Sequence, residues 1–313
     1  MNIENFNKNI KKYIINKNHQ DTEQLIFKLP NIKNNQIIRN KPFININKKE
    51  TNMNNQFEIG DNKDIKLTVA LPIWNSKRIC WLAIEGLKNQ IKPDFNWELI
   101  ICEEKHKEQI GSQYFLNEFK NLQKVNCNHI KYIELKDKIL LAQKWRVIVD
   151  NSNKDSLVFI LQAADCYSNK ERLKVSYQKL INENYDWYDV VKGYFYHIQR
   201  KNLIQYNTLN KIASTNLNMA LKTKYIRTLP DTDKTSSIDH FIYDHIGKLN
   251  PKIKVYHDTN DYISLDTHGM NNISKKRDRF FQNISWPFVK TNETLHTLNI
   301  PLNVKEKLSN LVI

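Results

Sequence analysis

Glycine is scarce, with six in 313 residues. Glycine-rich loops let a backbone approach phosphate closely, as in dinucleotide-binding and P-loop sites. No such stretch exists here, so neither site class is expected. The segment after the first expected strand, TVALPIWNSK, contains no glycine, which also argues against a nucleotidyltransferase. Cysteine is sparse as well. Cys80, Cys102, Cys127 and Cys166 never fall in a CxxC spacing, so no zinc site or disulfide framework is indicated. They read as free thiols in a reducing compartment. No run of about 18 apolar residues occurs, so no membrane-spanning helix is expected. The amino terminus is polar from Asn2 and does not resemble a secretory signal. The expected location is cytoplasmic, with peripheral contact at a membrane left open, for a whole protein or a piece of a larger one.

The charge balance is one-sided. Lys and Arg total 48 against 33 Asp and Glu, a formal charge of +15. The basic residues are spread out and form no continuous run, which suits anionic ligands. Nucleic acid is an unlikely partner, because neither paired Cys/His spacing nor an aromatic RNP-like run is present. With 40% hydrophobic residues the chain is long enough to bury a sizeable core.

Residues 1–63 carry 16 Asn and one Gly and read as a poorly ordered or loosely docked extension. Order is expected from Lys66. Leu67–Pro72, Trp97–Cys102, Ile130–Leu135 and Leu157–Leu161 are apolar, β-rich runs. Between them lie helical patterns at Lys77–Gln90, with Ser76 as a cap, then Ser112–Leu122 and Ile139–Val149. Strands alternating with helices imply a doubly wound, mostly parallel α/β sheet. Beyond it the pattern loosens. A helix at Lys170–Asn184, strands at Asp189–Ile198, Lys254–His257 and Tyr262–Leu265, and helices at Ser237–Lys248 and Val304–Val312 are expected. Asp186, Trp187 and Asp189 read as loop structure rather than chemistry. The expected division is a domain at 64–290, with a nucleotide half (64–168) and an acceptor half (169–290), then a tail at 291–313 with a short helix.

Leu157–Ser168, LVFILQAADCYS, organises the chain. Leu157–Leu161 reads as a central strand covered on both faces. It ends in Gln162, Ala163, Ala164 and one carboxylate, Asp165. Ligands of open α/β sheets sit at the carboxyl ends of the strands, so Asp165 is a candidate for a divalent cation and a nucleotide diphosphate. It would serve equally as a helix cap or turn residue.

The order of segments resembles a family 2-like glycosyltransferase of the GT-A fold over Leu67–Leu249. Pro72, Trp74 and Asn75 stand where that family has Pro, Tyr and Asn after its first strand. Glu103 stands at the end of the second strand, in place of an Asp that holds the base or ribose. Gln162, Ala163, Ala164 and Asp165 stand where the acidic metal motif falls, and only the last is acidic. The apolar NMAL segment precedes a helix carrying Asp239, where the family has Glu-Asp. The resemblance implies an enzyme moving a sugar from a nucleoside-diphosphate sugar, UDP-sugar foremost, to a hydroxyl on a glycan, lipid-linked or protein acceptor. It implies Mn²⁺ or Mg²⁺ on Asp165 and His268, with Asp266 and His257 in reserve. Lys144 would touch phosphate, and Trp74 would stack on base or sugar. Asp239, with His240 as alternative, would be the general base of an inverting reaction. Lys275, Lys276, Arg277 and Arg279 would close over the diphosphate or stay solvated. The missing carboxylates leave a binding module without turnover as the second reading.

Overall fold

The computed structural model describes residues 53–207, 219–232, 238–258, 265–268 and 288–311. All belong to the unit Lys48–Ile313. The sheet starts upstream of Lys66, inside the stretch assigned to the extension. β1 (Met53–Gly60) pairs antiparallel with β4 (Cys127–Leu135). The sequence hid this strand because it lies at a sheet edge. Its exposed Gln56 and Glu58 alternate with half-buried Phe57 and Ile59, a weak signal among many Asn. Residues 1–52 of the expected extension lie outside the described residues.

The centre is parallel: β4, β3 (Asn96–Glu104), β2 (Ile65–Ile73) and β5 (Val158–Leu161) run side by side. β10 (Ala220–Lys222) is antiparallel to β5 and to β7 (Trp187–Val190), and β11 (Val255–Asp258) lies parallel to β7. The order is β1-β4-β3-β2-β5-β10-β7-β11. The chain therefore winds outward from β2 through β3 to β4, then returns to place β5 on the other side of β2.

Alternating side chains clothe both faces, which is why these strands read as continuous apolar runs. Leu67, Val69 and Leu71 pack with α1 (Trp81–Lys88) and α2 (Ser112–Gln123) through Ala83, Leu87, Phe115 and Phe119. On the opposite face Ala70, Ile100 and Ile133 pack with Trp145 and Ile148 of α3 (Leu141–Asp150). Ile226 of α5 (Thr223–Arg227) and Ile242 of α6 (Ile238–Leu249) share that face. This is the expected doubly wound α/β architecture.

The differences lie at element ends. The helix expected from Lys77 forms only from Trp81, and the Ser76 hydroxyl bonds the Trp74 carbonyl (2.9 Å) instead of capping it. α4 (Arg172–Tyr177) continues as one π turn, Gln178–Asn182. The single strand expected over Asp189–Ile198 is two. β7 stays in the large sheet, whereas β8 (Lys192–His197) enters a second sheet of order β13-β9-β8-β12-β6. Its members are β6 (Cys166–Tyr167), β9 (Asn202–Asn207), β12 (Leu265–His268) and β13 (Phe288–Lys290). The tail is packed down. Leu298, Val304 and Leu308, the latter two on α7 (Leu302–Ser309), are buried with Leu82, Tyr196 and Leu203. No helix among the described residues is long and apolar enough to cross a membrane.

Candidate functional site

The reversal of winding between β2 and β5 puts the switch point of the sheet at their carboxyl ends, where a crevice is the usual ligand position of such sheets. β2 ends at Pro72 and Ile73, and the chain leaves through Trp74 and Asn75. Asn75 adopts φ 49°, a left-handed conformation that Asn reaches more readily than most residues. Trp74 is half-buried. Its ring lies 5.3 Å from that of His106, and the Lys138 ammonium sits 4.1 Å from its centroid. A flat aromatic with an ammonium beside it suits a heterocyclic base or a sugar bearing phosphate.

The two carboxylates ending β3 are both committed within the protein. Glu103 accepts hydrogen bonds from the Ile110 N–H (2.9 Å), the Gly111 N–H (3.1 Å) and the Tyr132 hydroxyl (2.8 Å). It ties the β3–α2 loop to β4. Burial raises its carboxyl above the usual carboxylate range, although those donors and Lys144 pull the other way. Its described partners are thus a loop and a tyrosine. Glu104 pairs with Lys144 of α3, whose ammonium also donates to the Ile73 carbonyl (2.6 Å). Both side chains are about as inaccessible as core leucines. Burial pushes the Lys144 ammonium below its ordinary range, while Glu104 opposes the shift. Lys144 therefore clamps the ends of β2 and β3 from beneath Trp74, 6.0 Å from its ring.

At the end of β5 the polar side chains are turned to internal hydrogen bonds. Gln162 is fully buried, and its polar atoms are spent on the turn itself. Its amide donates to the Ala163 and Cys166 carbonyls (2.9 Å each), and its oxygen accepts from Arg172 (2.7 Å) and from the Ser168 hydroxyl. Arg172 further donates to Ser168 (2.8 Å) and to the Leu161 carbonyl (2.8 Å). Gly86 of α1 closes the turn from outside, because a Cβ there would meet the Ser168 nitrogen at 2.5 Å. Ala163 and Ala164 are buried and contribute only backbone. Asp165 alone emerges half-buried at the rim, with the Cys166 thiol 3.7 Å away.

β12 brings a further segment to the same turn. Asp266 pairs with Cys166 and Leu265 with Tyr167, antiparallel. His268 is two residues further along β12. His268 also faces His197 of β8 in backbone pairing. Asp239 is the second residue of α6. The side chains of Asp239, Asp266 and His268 lie outside the described residues, as do Lys275, Lys276, Arg277 and Arg279. His257 is elsewhere, on β11, 3.7 Å from Asp189. No cluster of three or more His, Cys, Asp or Glu fit to hold a metal occurs among the described residues.

Sequence reasoning missed Lys138, His106, Glu104 and Arg172. Only Glu104 had a signal, as the second carboxylate of IICEE. The others reach the site through loop and helix geometry that local pattern does not encode.

The strand order defines the class at the level of fold: the protein has a GT-A-type glycosyltransferase fold. It superposes on S. aureus TarS in complex with UDP-GlcNAc with a TM-score of 0.52 and 14% identity, covering 66% of this chain and 60% of that one. The TarS complex with UDP gives 0.50 at 14% identity, over 66% and 61%. A longer TarS chain also gives 0.50 at 14% identity, over 65% of this chain but 37% of that one. No family model and no curated protein matches the chain.

Proposed function

We propose that the protein is a glycosyltransferase that moves a sugar from a nucleoside-diphosphate sugar to a hydroxyl acceptor. The observation that carries the reading is the convergence at the β2/β5 crevice. Trp74, with the Lys138 ammonium 4.1 Å from its ring centroid, lies on one side, Asp165 on the other, and the backbone of Leu265–Asp266 is paired with Cys166–Tyr167 next to Asp165. A UDP-sugar is the favoured donor, since UDP-GlcNAc and UDP occupy the structures that share the fold. Trp74 takes the base or sugar face, and Lys138 lies within reach of phosphate. Lys144 and Glu103 position the rim.

A divalent cation fits this donor set sparingly. One rim carboxylate and one histidine suit Mn²⁺ or Mg²⁺ only where diphosphate and water complete the shell. Bound there, the cation would neutralise charge on the departing diphosphate. Asp165 is the first residue to hold it and His268 the second. Asp239 accepts the acceptor O–H proton as that oxygen attacks the anomeric carbon from the face opposite the diphosphate. The anomeric C–O bond to phosphate breaks, and the configuration inverts. Asp239 stands in the first turn of a 12-residue helix, where the dipole favours its ionised form. The acceptor is a hydroxyl of a glycan, lipid-linked or protein substrate, at a cytoplasmic or peripheral membrane location.

The test is release of free UDP from UDP-sugars, with product detection by mass spectrometry. Asp239→Asn is expected to retain donor binding and lose transfer. Transfer at the wild-type rate in that variant would remove the base assignment. Gln162 filling its turn with internal bonds favours the second reading, a donor-binding module without turnover, which UDP binding with no release in any variant would establish.

A further inference from the structure

A cleft of about 540 Å³ opens where β7 and β11 begin and β10 ends. These are the amino-terminal ends of the parallel strands, the edge of the sheet opposite the donor crevice. Its floor is Asp186, buried at the entrance to β7. That carboxylate takes the Tyr225 hydroxyl at 2.6 Å, the Asn250 amide at 2.9 Å and the Lys254 N–H at 3.0 Å. The Lys222 ammonium lies 3.5 Å away and also donates to Asn184 at 2.6 Å.

Four lysines line the cleft, and Asp186 is the only carboxylate among the lining residues. One positive charge, that of Lys222, is answered, by Asp186. The ammonium of Lys224 rests 4.8 Å over the Tyr225 ring, and Lys252 and Lys254 are exposed. Three positive charges are therefore left around a concave surface of a protein that carries +15 overall. Burial lowers the Lys222 ammonium, and repulsion from Lys224 and Lys254 adds to the shift, so an added anion would relieve strain already present.

We propose that this cleft binds phosphate-bearing anions, separately from the donor crevice. Compact ammonium groups on flexible stems suit phosphate as point charges. The spread of three such groups suits a pyrophosphate, or several headgroups presented by a surface. Leu249 stands exposed on the lip, where it would meet a lipid surface but add nothing to a soluble ion.

The test uses the full chain in EDTA, where a cation-dependent donor crevice is silent. Pyrophosphate is titrated by calorimetry, and vesicles of phosphatidylglycerol with phosphatidylcholine are compared with phosphatidylcholine alone by flotation. Calorimetric binding assigns the cleft to soluble phosphates. Flotation confined to the anionic vesicles assigns it to headgroups. In either arm Lys224→Gln/Lys252→Gln, both exposed positions, is expected to weaken binding roughly 30-fold, at about fivefold per lysine. A shared melting temperature shows that the variant is folded. Binding in neither arm, or binding unchanged in the double variant, would overturn the proposal.

Discussion

Replacing Lys144 with Met tests whether the rim is built on a buried ion pair. Lys144 and Glu104 expose 4% and 1% of their side chains, and the Glu104 Oε1 has no hydrogen-bond partner. The variant leaves the carboxylate buried and without its cation. Such half-broken pairs cost about 3–5 kcal/mol. At roughly 2 °C per kcal/mol for a large domain, the melting temperature should fall by about 6–10 °C. Replacing both partners, as Lys144→Met/Glu104→Leu, removes the uncompensated charge and should recover most of the loss. The pH dependence follows from Lys144, which the variant lacks: the deficit against wild type should be smaller near pH 8 than near pH 10. In the wild type the Lys144 ammonium is lowered in the folded state, so the unfolded chain binds more protons. That contribution to stability rises as pH climbs toward the ordinary lysine range. Urea unfolding of wild type, single and double variants at the two pH values reads all of this. Equal destabilisation of single and double variants, or a pH-independent deficit, would refute it.

Other expectations rest on separate features. Gly86→Ala places a Cβ 2.5 Å from the backbone nitrogen of Ser168, which a flexible side chain cannot relieve. It should cost about 1–3 kcal/mol in urea unfolding and loosen the Asp165 turn. All four cysteines are buried, and burial pushes the Cys102 thiol up to about 12, with Cys80 and Cys127 also raised. A thiol reagent at pH 8 should label the native protein at a small fraction of its rate on unfolded chain, and rapid native labelling of any of these three would contradict the packing. Asp239→Asn should separate donor binding from transfer, read as UDP release against a binding isotherm.

The parallel centre was legible because each strand is covered on both faces and so appears as an unbroken apolar run. β5 and its delivery of Asp165 to the rim follow from that pattern alone. β1 and β9 were not legible. β1 lies at an edge where half the side chains face solvent, and both are short on the continuous apolar signal. The break between β7 and β8 is likewise invisible, since Asp189–Ile198 keeps its β-forming residues across it. At the site, Trp74 and Asp165 could be placed from strand ends. The duties of Lys144 and Gln162 could not. Their partners, Glu104 and Arg172, arrive from 40 and 10 residues away, which local pattern does not encode.

The central claim is that Asp165 holds a cation beside a nucleoside diphosphate. Its most direct test is the melting temperature of wild type and Asp165→Ala with UDP, in Mn²⁺ and in EDTA. Saturating UDP at about 100 times its dissociation constant contributes roughly 2.7 kcal/mol. A rise of about 5 °C is therefore expected for wild type in Mn²⁺, and little or none in EDTA or in Asp165→Ala. Equal stabilisation by UDP with and without the metal, undiminished in Asp165→Ala, would contradict the account.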